Sequence, residues 1–278
     1  MKKIFAFRKK VSFMTVDSKN KVGSLAKGFK VLESFTHAFE ALTLSEVCSR
    51  SGLDSGTVFR ILNTLVDLGY IEKLEETKQF HLTLKVANLG FNAIGRSDIR
   101  DLALPILRSL AKRIGETVSF ATLEGANMVY LERVRVGLAR LGVDIRVGSV
   151  IPAYCSAIGQ ALLAFLPEEE LEHVLNLEPD FREVVPMDKD EIPVMEQLKS
   201  IKAKGYILKR SSFNSSLTVL ALPVFDRDRY PIGAISVVVP SIRISEDELF
   251  IKAFDSMTET SEKLSRAINV SGSATSAI

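Results

Sequence analysis

Two cysteines in 278 residues, Cys48 and Cys155, stand far apart in the chain, so neither a disulfide framework nor a cysteine-based zinc site can be assembled. That scarcity suits a reducing compartment. No uninterrupted apolar stretch approaches the ~20 residues a membrane-crossing helix requires. The start "MKKIFAFRKK" has the positive opening of a signal peptide, but its apolar run "IFAF" gives way at once to "RKK". A cytoplasmic location is the expectation. The signatures of common enzyme families are missing too: no glycine-rich phosphate loop, no HExxH, no nucleophile elbow. A nucleophile reading has only Cys155 beside Ser156, with His173 eighteen residues on. His173 lies in the helical run "EEELEHVL", and no acid is placed to orient it as a triad requires. A cysteine-dependent hydrolase is therefore an alternative only, and no catalytic residue, metal or cofactor is expected. Cys155 reads instead as a small, soft residue at the mouth of a pocket, where a helix start can bring free amides towards an anion.

What is present divides unevenly. The length allows one large domain or two ordinary ones, each with a real core. The net charge is +2, but residues 1–85 carry 14 Lys and Arg against 9 Asp and Glu, and residues 86–278 carry 22 against 25. A basic front half is a weak pointer to nucleic acid. Part of it sits in a basic extension, 1–21, which shortens if Met14 is the true start.

The stronger pointer is local. "SLAKGFKVLESF" spaces Leu25, Phe29, Leu32 and Phe35 as the apolar side of a first helix, with Ser24 as its cap. Thr43 precedes Glu46 by three residues, the capping box of a second helix, and Gly52 supplies the left-handed residue that ends it. Asp54 or Ser55 then caps a third helix running to Leu68 and Gly69. Two helices joined this tightly make a helix-turn-helix. In the third, Val58, Ile61, Leu62, Leu65 and Leu68 form the buried stripe and leave Ser55, Thr57, Arg60, Asn63 and Thr64 outward, with Gly56 in the first turn. A helix that packs on one side and presents hydrogen-bonding groups on the other suits base edges and phosphates in a major groove. Phe59 falls near the polar side; it can meet a thymine methyl, pack on the wing or join the core, and core packing is favoured. "YIEKLEETKQFHLTL" reads as a hairpin, the wing of a winged helix, from which Lys73 and Lys78 reach towards phosphates past Glu75 and Glu76. The alternative for residues 22–85 is a small helical subdomain without a ligand, or one that contacts protein only.

Residues 86–115 read as a helical linker that Pro105 interrupts without ending. Val86, Leu89, Ile94, Leu102, Ile106, Leu110 and Ile114 exceed the apolar needs of an isolated connector, so pairing with a second copy is expected. From Glu116 the pattern turns α+β: a hairpin around Gly125 and Asn127, a helix in "SAIGQALLAFL", another opening on Pro167, strands at about 206–210, 218–225 and 232–239, and a final helix from Ser245 to about Asn269. A mixed antiparallel sheet flanked by helices can enclose a small-molecule pocket. Residues 116–270 form this domain and 271–278 a frayed tail.

"GLDSGTVFRILNTLVDLGYIE", "LTLKVANLG", "GETVSFATLEGANMVYLERV", "VGSVIPAYCSAIGQALLAFLPEEEL" and "LTVLALPVFDRDRYPIGAISVVVP" together resemble the IclR family of bacterial transcriptional regulators, from about Val22 to Arg266. The resemblance implies a winged helix, a helical linker and a GAF-like effector-binding domain, working as homodimers or dimers of dimers on double-stranded operator DNA and answering to small metabolites. It places the effector against Val143 and Ile151, Ala157 and Ile158 after Cys155, and Lys209, Leu217, Val219, Ser236 and Val238. Three of these depart from the pattern of family members that bind small keto acids, which have an acid where Lys209 stands, a cysteine for Val219 and a serine for Val238. Gly56 and Phe59 likewise replace a usual serine and histidine. More branched apolar surface and a gained cation imply an effector with an apolar body and a negative end, an aromatic or other bulky carboxylate paired with Lys209 or Arg210. "SLAKGFKVLESF" and "PAYCSAIGQALLA" also resemble the branch of the family that regulates aromatic-acid catabolism.

Overall fold

The computed structural model describes residues 22–36, 39–94, 98–136, 145–178 and 193–271. The chain divides into two compact units, residues 1–93 and 94–278. The basic extension, Val143 and the tail from residue 272 lie outside the described residues.

The first unit runs α1 (Gly23–Leu32), β1 (Ala41–Leu42), α2 (Leu44–Ser51), α3 (Ser55–Asp67), β2 (Ile71–Lys73), β3 (Phe80–Leu82) and α4 (Leu84–Ile94). Its helix ends are set by side chains. The Glu46 amide donates to Thr43 Oγ1, and the Glu46 carboxylate accepts from the Thr43 amide at 2.7 Å, closing the expected capping box. Gly52 takes φ 68°, a left-handed turn that a side chain would strain, and its amide reaches the Cys48 carbonyl at 3.0 Å. Asp54, rather than Ser55, caps α3 by accepting from the Thr57 amide at 2.9 Å. These three devices join α2 and α3 through only three residues, Gly52, Leu53 and Asp54. Val31, Phe35, Leu42, Val47, Val58, Leu62, Leu65, Ile71 and Phe80 form one buried core. Behind it lies a three-stranded antiparallel sheet of order β1-β3-β2, so the hairpin gains a short third strand that periodicity did not reveal.

Several expectations shift here. Ser24 lies inside α1, whose cap, Val22, makes no side-chain bond. Leu25 and Phe29 are more than half exposed, because Val31 and Phe35 make the contact with α3 and its neighbours instead. Leu68 is half exposed because α3 ends at Asp67, before the stripe returns to the core. Phe59 does not join the core: it is 52% exposed, one residue around the helix from Val58, which takes the buried place.

The second unit runs α5 (Asp98–Ile114, with Pro105 inside it), β4 (Thr117–Glu124), β5 (Asn127–Val134), β6 (Val150–Pro152), α6 (Ala157–Leu163), α7 (Glu168–Leu175), α8 (Val194–Lys204), β7 (Ile207–Arg210), β8 (Leu217–Phe225), β9 (Pro231–Pro240) and α9 (Glu246–Ser271). The strands form one antiparallel sheet of order β6-β5-β4-β9-β8-β7. Period-two alternation sends Val118, Phe120, Leu220, Leu222, Ile235 and Val237 to one face, beneath α5 and α9. It sends Ala121, Val219, Ala221 and Ala234 to the other, beneath α6. Both faces are covered, which is why the strands read as nearly continuous apolar runs. The predicted linker is thus two helices with different uses. Leu110 and Ile114 are buried against the sheet of their own unit and are not available to a second copy, whereas Leu89 on α4 is 54% exposed. Pro167 precedes α7 as its cap residue instead of lying in the first turn.

Gly159 has no room for a side chain. A Cβ there would stand 2.2 Å from the Ala153 carbonyl oxygen and 2.6 Å from Ser156 Oγ, the group that caps α6 by accepting from the Gly159 amide. Close approach of α6 to the turn after β6 depends on this residue. Gly159→Ala is expected to cost about 1–3 kcal/mol through overpacking, read as an earlier urea transition of the full chain by circular dichroism. In the first unit, Leu62→Ala should cost about 2–5 kcal/mol by opening a cavity, whereas Phe59→Ala should stay within about 0.5 kcal/mol of the parent, as exposed positions do. Equal losses at the two positions would contradict the burial described for α3.

Candidate functional sites on the third helix and the sheet face

Among the residues predicted to contact DNA, Ser55, Gly56, Phe59, Arg60 and Asn63 are exposed on α3. Thr57 is half-buried, with its amide committed to the cap. Hydrogen bonds from Thr57 hold the Asp54 carboxyl below the usual range, so a full negative charge sits at the positive start of α3. Thr64 is exposed, but its hydroxyl bonds back to the Arg60 carbonyl at 2.9 Å. A Cβ at position 56 would come no nearer than 3.4 Å to Asp54, so Gly56 answers no packing need; it leaves the first turn bare. Lys73 and Lys78 are exposed on β2 and just after the hairpin turn, Lys78 with a left-handed φ of 54°. Arg50 of α2 is engaged elsewhere: its Nε donates to the Ser34 carbonyl at 2.7 Å and its guanidinium lies 4.1 Å from the centre of the Phe39 ring.

In the second unit, seven of the predicted effector residues, Ile151, Ala157, Ile158, Leu217, Val219, Ser236 and Val238, surround one cavity of about 40 Å³ on the α6 side of the sheet. Cys155 and Lys209 do not line it. Cys155 is buried beside the cavity, where its carbonyl accepts from Ser212 Oγ at 2.7 Å. Lys209 pairs with Val219 across β7 and β8, yet it stands on the sheet's edge strand. The wall on that side is supplied by Ser211, Ser212 and Phe213, the residues that follow β7. Arg210 is exposed, with Nη1 3.5 Å from the Ser215 carbonyl.

The cavity does have a cation, and the sequence reading missed it. Arg133 and Tyr130 of β5 both line it. Simple alternation cannot place residues three apart on the same face. A β-bulge makes the difference: Phe120 pairs with Glu132 and Ala121 with Tyr130, so Leu131 is the extra residue. Beyond the bulge Arg133 faces Ser119 and the cavity, with Nη1 donating to Ser119 Oγ at 3.1 Å. Glu132 turns to the opposite face. Burial pushes the Tyr130 phenol up to about 12, with the Arg133 charge acting the other way, so this side chain stays neutral. Ser236 Oγ is buried and has no hydrogen-bond partner among the described residues, which leaves a polar atom of the lining to be satisfied. Among the described residues no group of histidines, cysteines and acids could hold a metal ion, and no helix is long and apolar enough to cross a membrane.

Comparison with known proteins gives both units a relationship. Residues 24–75 match the IclR helix-turn-helix domain, and residues 91–266 match the C-terminal domain of the bacterial transcriptional regulator IclR. The HTH-type transcriptional regulator KdgR of Dickeya chrysanthemi is 30% identical over 226 residues, covering 81% of this chain and 73% of that protein. A candidate transcriptional regulator from Rhodococcus sp. RHA1 has a similar structure, with a TM-score of 0.73 at 28% identity over 90% of this chain and 100% of that one. An IclR homologue from Microbacterium hydrocarbonoxydans, solved in complex with 4-hydroxybenzoate, shares the fold at a TM-score of 0.71 and 23% identity, over 89% and 99% of the two chains. With a capped helix-turn-helix in one unit and a two-faced antiparallel sheet in the other, matched over residues 24–75 and 91–266, the chain belongs to the IclR family of transcriptional regulators.

Proposed function

We propose that this regulator binds operator duplex through α3 and alters that binding when an aromatic or otherwise bulky carboxylate occupies the cavity of its second unit. The DNA half rests on one observation above all: α3 buries Val58, Leu62 and Leu65 and leaves Ser55, Arg60 and Asn63 to solvent. A helix anchored along one side carries its other side into a major groove without losing core contacts. Lys73 and Lys78 add phosphate contacts from the wing. Regulators of this family bind DNA and small-molecule effectors, typically as oligomers. A homodimer, or a pair of them, presents two copies of α3 to half-sites about one helical turn, ~34 Å, apart.

The effector reading is supported by the lining. Ile151, Ile158, Leu217, Val219 and Val238 offer apolar cover, and Tyr130, Ser236 and Arg133 offer polar contacts. The 4-hydroxybenzoate held by the Microbacterium homologue is a molecule of this kind. Size matters as well. The cavity is about 40 Å³, whereas a cavity that takes up benzene measures about 150 Å³. An aromatic acid therefore enters only as lining side chains move, and binding is tied to a change of conformation. The effector favours one of two arrangements of the protein, and affinity for the operator follows the population.

A second reading, in which the helix-turn-helix contacts protein alone, draws on the exposed Phe59. Salt separates the two. Duplexes selected from a random pool by the full chain should bind with log K falling by about 0.9 per phosphate contact for each unit of log salt, and a flat response would favour the protein-contact reading. On the selected duplex, Arg60→Ala should lose about 1–3 kcal/mol and relax sequence choice. Unchanged gel-shift curves would remove Arg60 from the interface.

A further inference from the structure

We propose that Arg133 takes the carboxylate of the effector and that Glu132 and Arg100 carry its occupancy into α5. This inference rests on the cavity being the effector site. The geometry begins with the bulge at Leu131, which places two consecutive, oppositely charged residues on opposite faces of the sheet. Arg133 faces the cavity, where its Nη1 donates to a neutral hydroxyl, Ser119 Oγ. A carboxylate is a stronger acceptor for a guanidinium than a hydroxyl is, and it can take two parallel N–H bonds where the serine takes one. Arg133 is also the longest side chain of the lining, in a cavity too small for a ring. Its displacement makes room and forms the new pair in the same movement.

Glu132 is the other half of the device. It is 5% exposed on the α5 face, and both its oxygens are committed. Oε1 accepts the backbone amide of Arg133 at 3.0 Å, and Oε2 accepts Arg100 Nε of α5 at 3.1 Å. One buried carboxylate thus holds the main chain of the cavity's cation with one oxygen and the first turn of α5 with the other. The bulge at Leu131 interrupts the regular ladder immediately before Glu132, the residue that holds the Arg133 amide. α5 is also the first helix of this unit, three residues beyond α4 in the chain. A shift of Arg133 towards a carboxylate therefore acts on the helix through which the two units are joined.

The test uses the full chain with benzoate, 4-hydroxybenzoate and uncharged 4-hydroxybenzamide, measuring affinity by calorimetry and α5 by hydrogen exchange over residues 98–114. The parent should bind 4-hydroxybenzoate and change the exchange of α5. Arg133→Gln should weaken the acid by about tenfold or more, the loss of charge-assisted bonds, and leave the amide where it was; Arg133→Lys should recover part of the loss. Glu132→Gln should still prefer the acid over the amide, yet lose the change in α5. Arg100→Gln, which leaves Glu132 in place, should do the same and carries the test if Glu132→Gln does not fold. Equal binding of the acid by Arg133→Gln and the parent would overturn the first half, and an undiminished α5 response in Arg100→Gln the second. A parent chain that binds none of the acids would instead end the carboxylate reading of the cavity, and this inference with it.

Discussion

A β-strand sends neighbouring side chains to opposite faces, and in the second unit both faces are buried, so no residue of β4, β5, β8 or β9 can move to the other side without breaking a core. The two faces do different work. One carries Val118, Phe120, Leu220 and Val237 under α5 and α9; the other carries Val219, Ser236 and Val238 into a cavity closed by α6. The sheet therefore separates the cavity from α5. The bulge at Leu131 is the place where the alternation is broken, and it is broken next to the one arginine of the lining. Bulges re-aim side chains, and here the re-aimed residue is a cation.

The first unit solves a different problem, that of exposing polar groups on a helix while keeping the helix in place. Its core is small, and its supports are local: the Thr43–Glu46 box, Gly52, Asp54 and the bond from Arg50 to the Ser34 carbonyl. Each satisfies a backbone group at a helix end that would otherwise need water. Because these bonds do not draw on the outward side of α3, Arg60 and Asn63 are left available there. Thr64 is not, since its hydroxyl is turned back to the Arg60 carbonyl.

Local rules were legible at most places where a residue acts on its neighbours, though Ser24 does not cap α1. The capping box, the glycine stop and the wing turn could be read from spacing alone, and so could most strands of the second unit. What could not be read was partnership at a distance. Spacing put Val58 in the buried stripe and Phe59 near the polar side, yet an apolar ring beside the stripe reads as core; the fold buries Val58 and leaves Phe59 exposed. β1 is two residues long and exists only because β3 lies beside it. The family resemblance places Lys209 against the effector, but the segment 211–213 supplies the cavity wall on that side. Arg133 was hidden by the bulge: in "MVYLERV" strict alternation puts Glu132 with Tyr130 and sends Arg133 away, the reverse of what the ladder shows.

The small size of the cavity bears on how such a protein can answer a metabolite at all. A preformed pocket that fits its ligand changes little on binding, and a ligand that binds two states equally shifts nothing between them. A cavity of about 40 Å³ cannot be of that kind for any ring-bearing acid. On the proposed reading, the work of displacing Arg133 and its neighbours is taken from the binding energy, which lowers affinity, but it makes the occupied and empty states differ by construction. In that proposal the difference arises beside the bulge, and on the far side of the sheet it meets a buried carboxylate that already holds α5. Stiffness elsewhere in the sheet then helps: the other strands are packed on both faces and cannot absorb the movement, so α5 is the element left to respond.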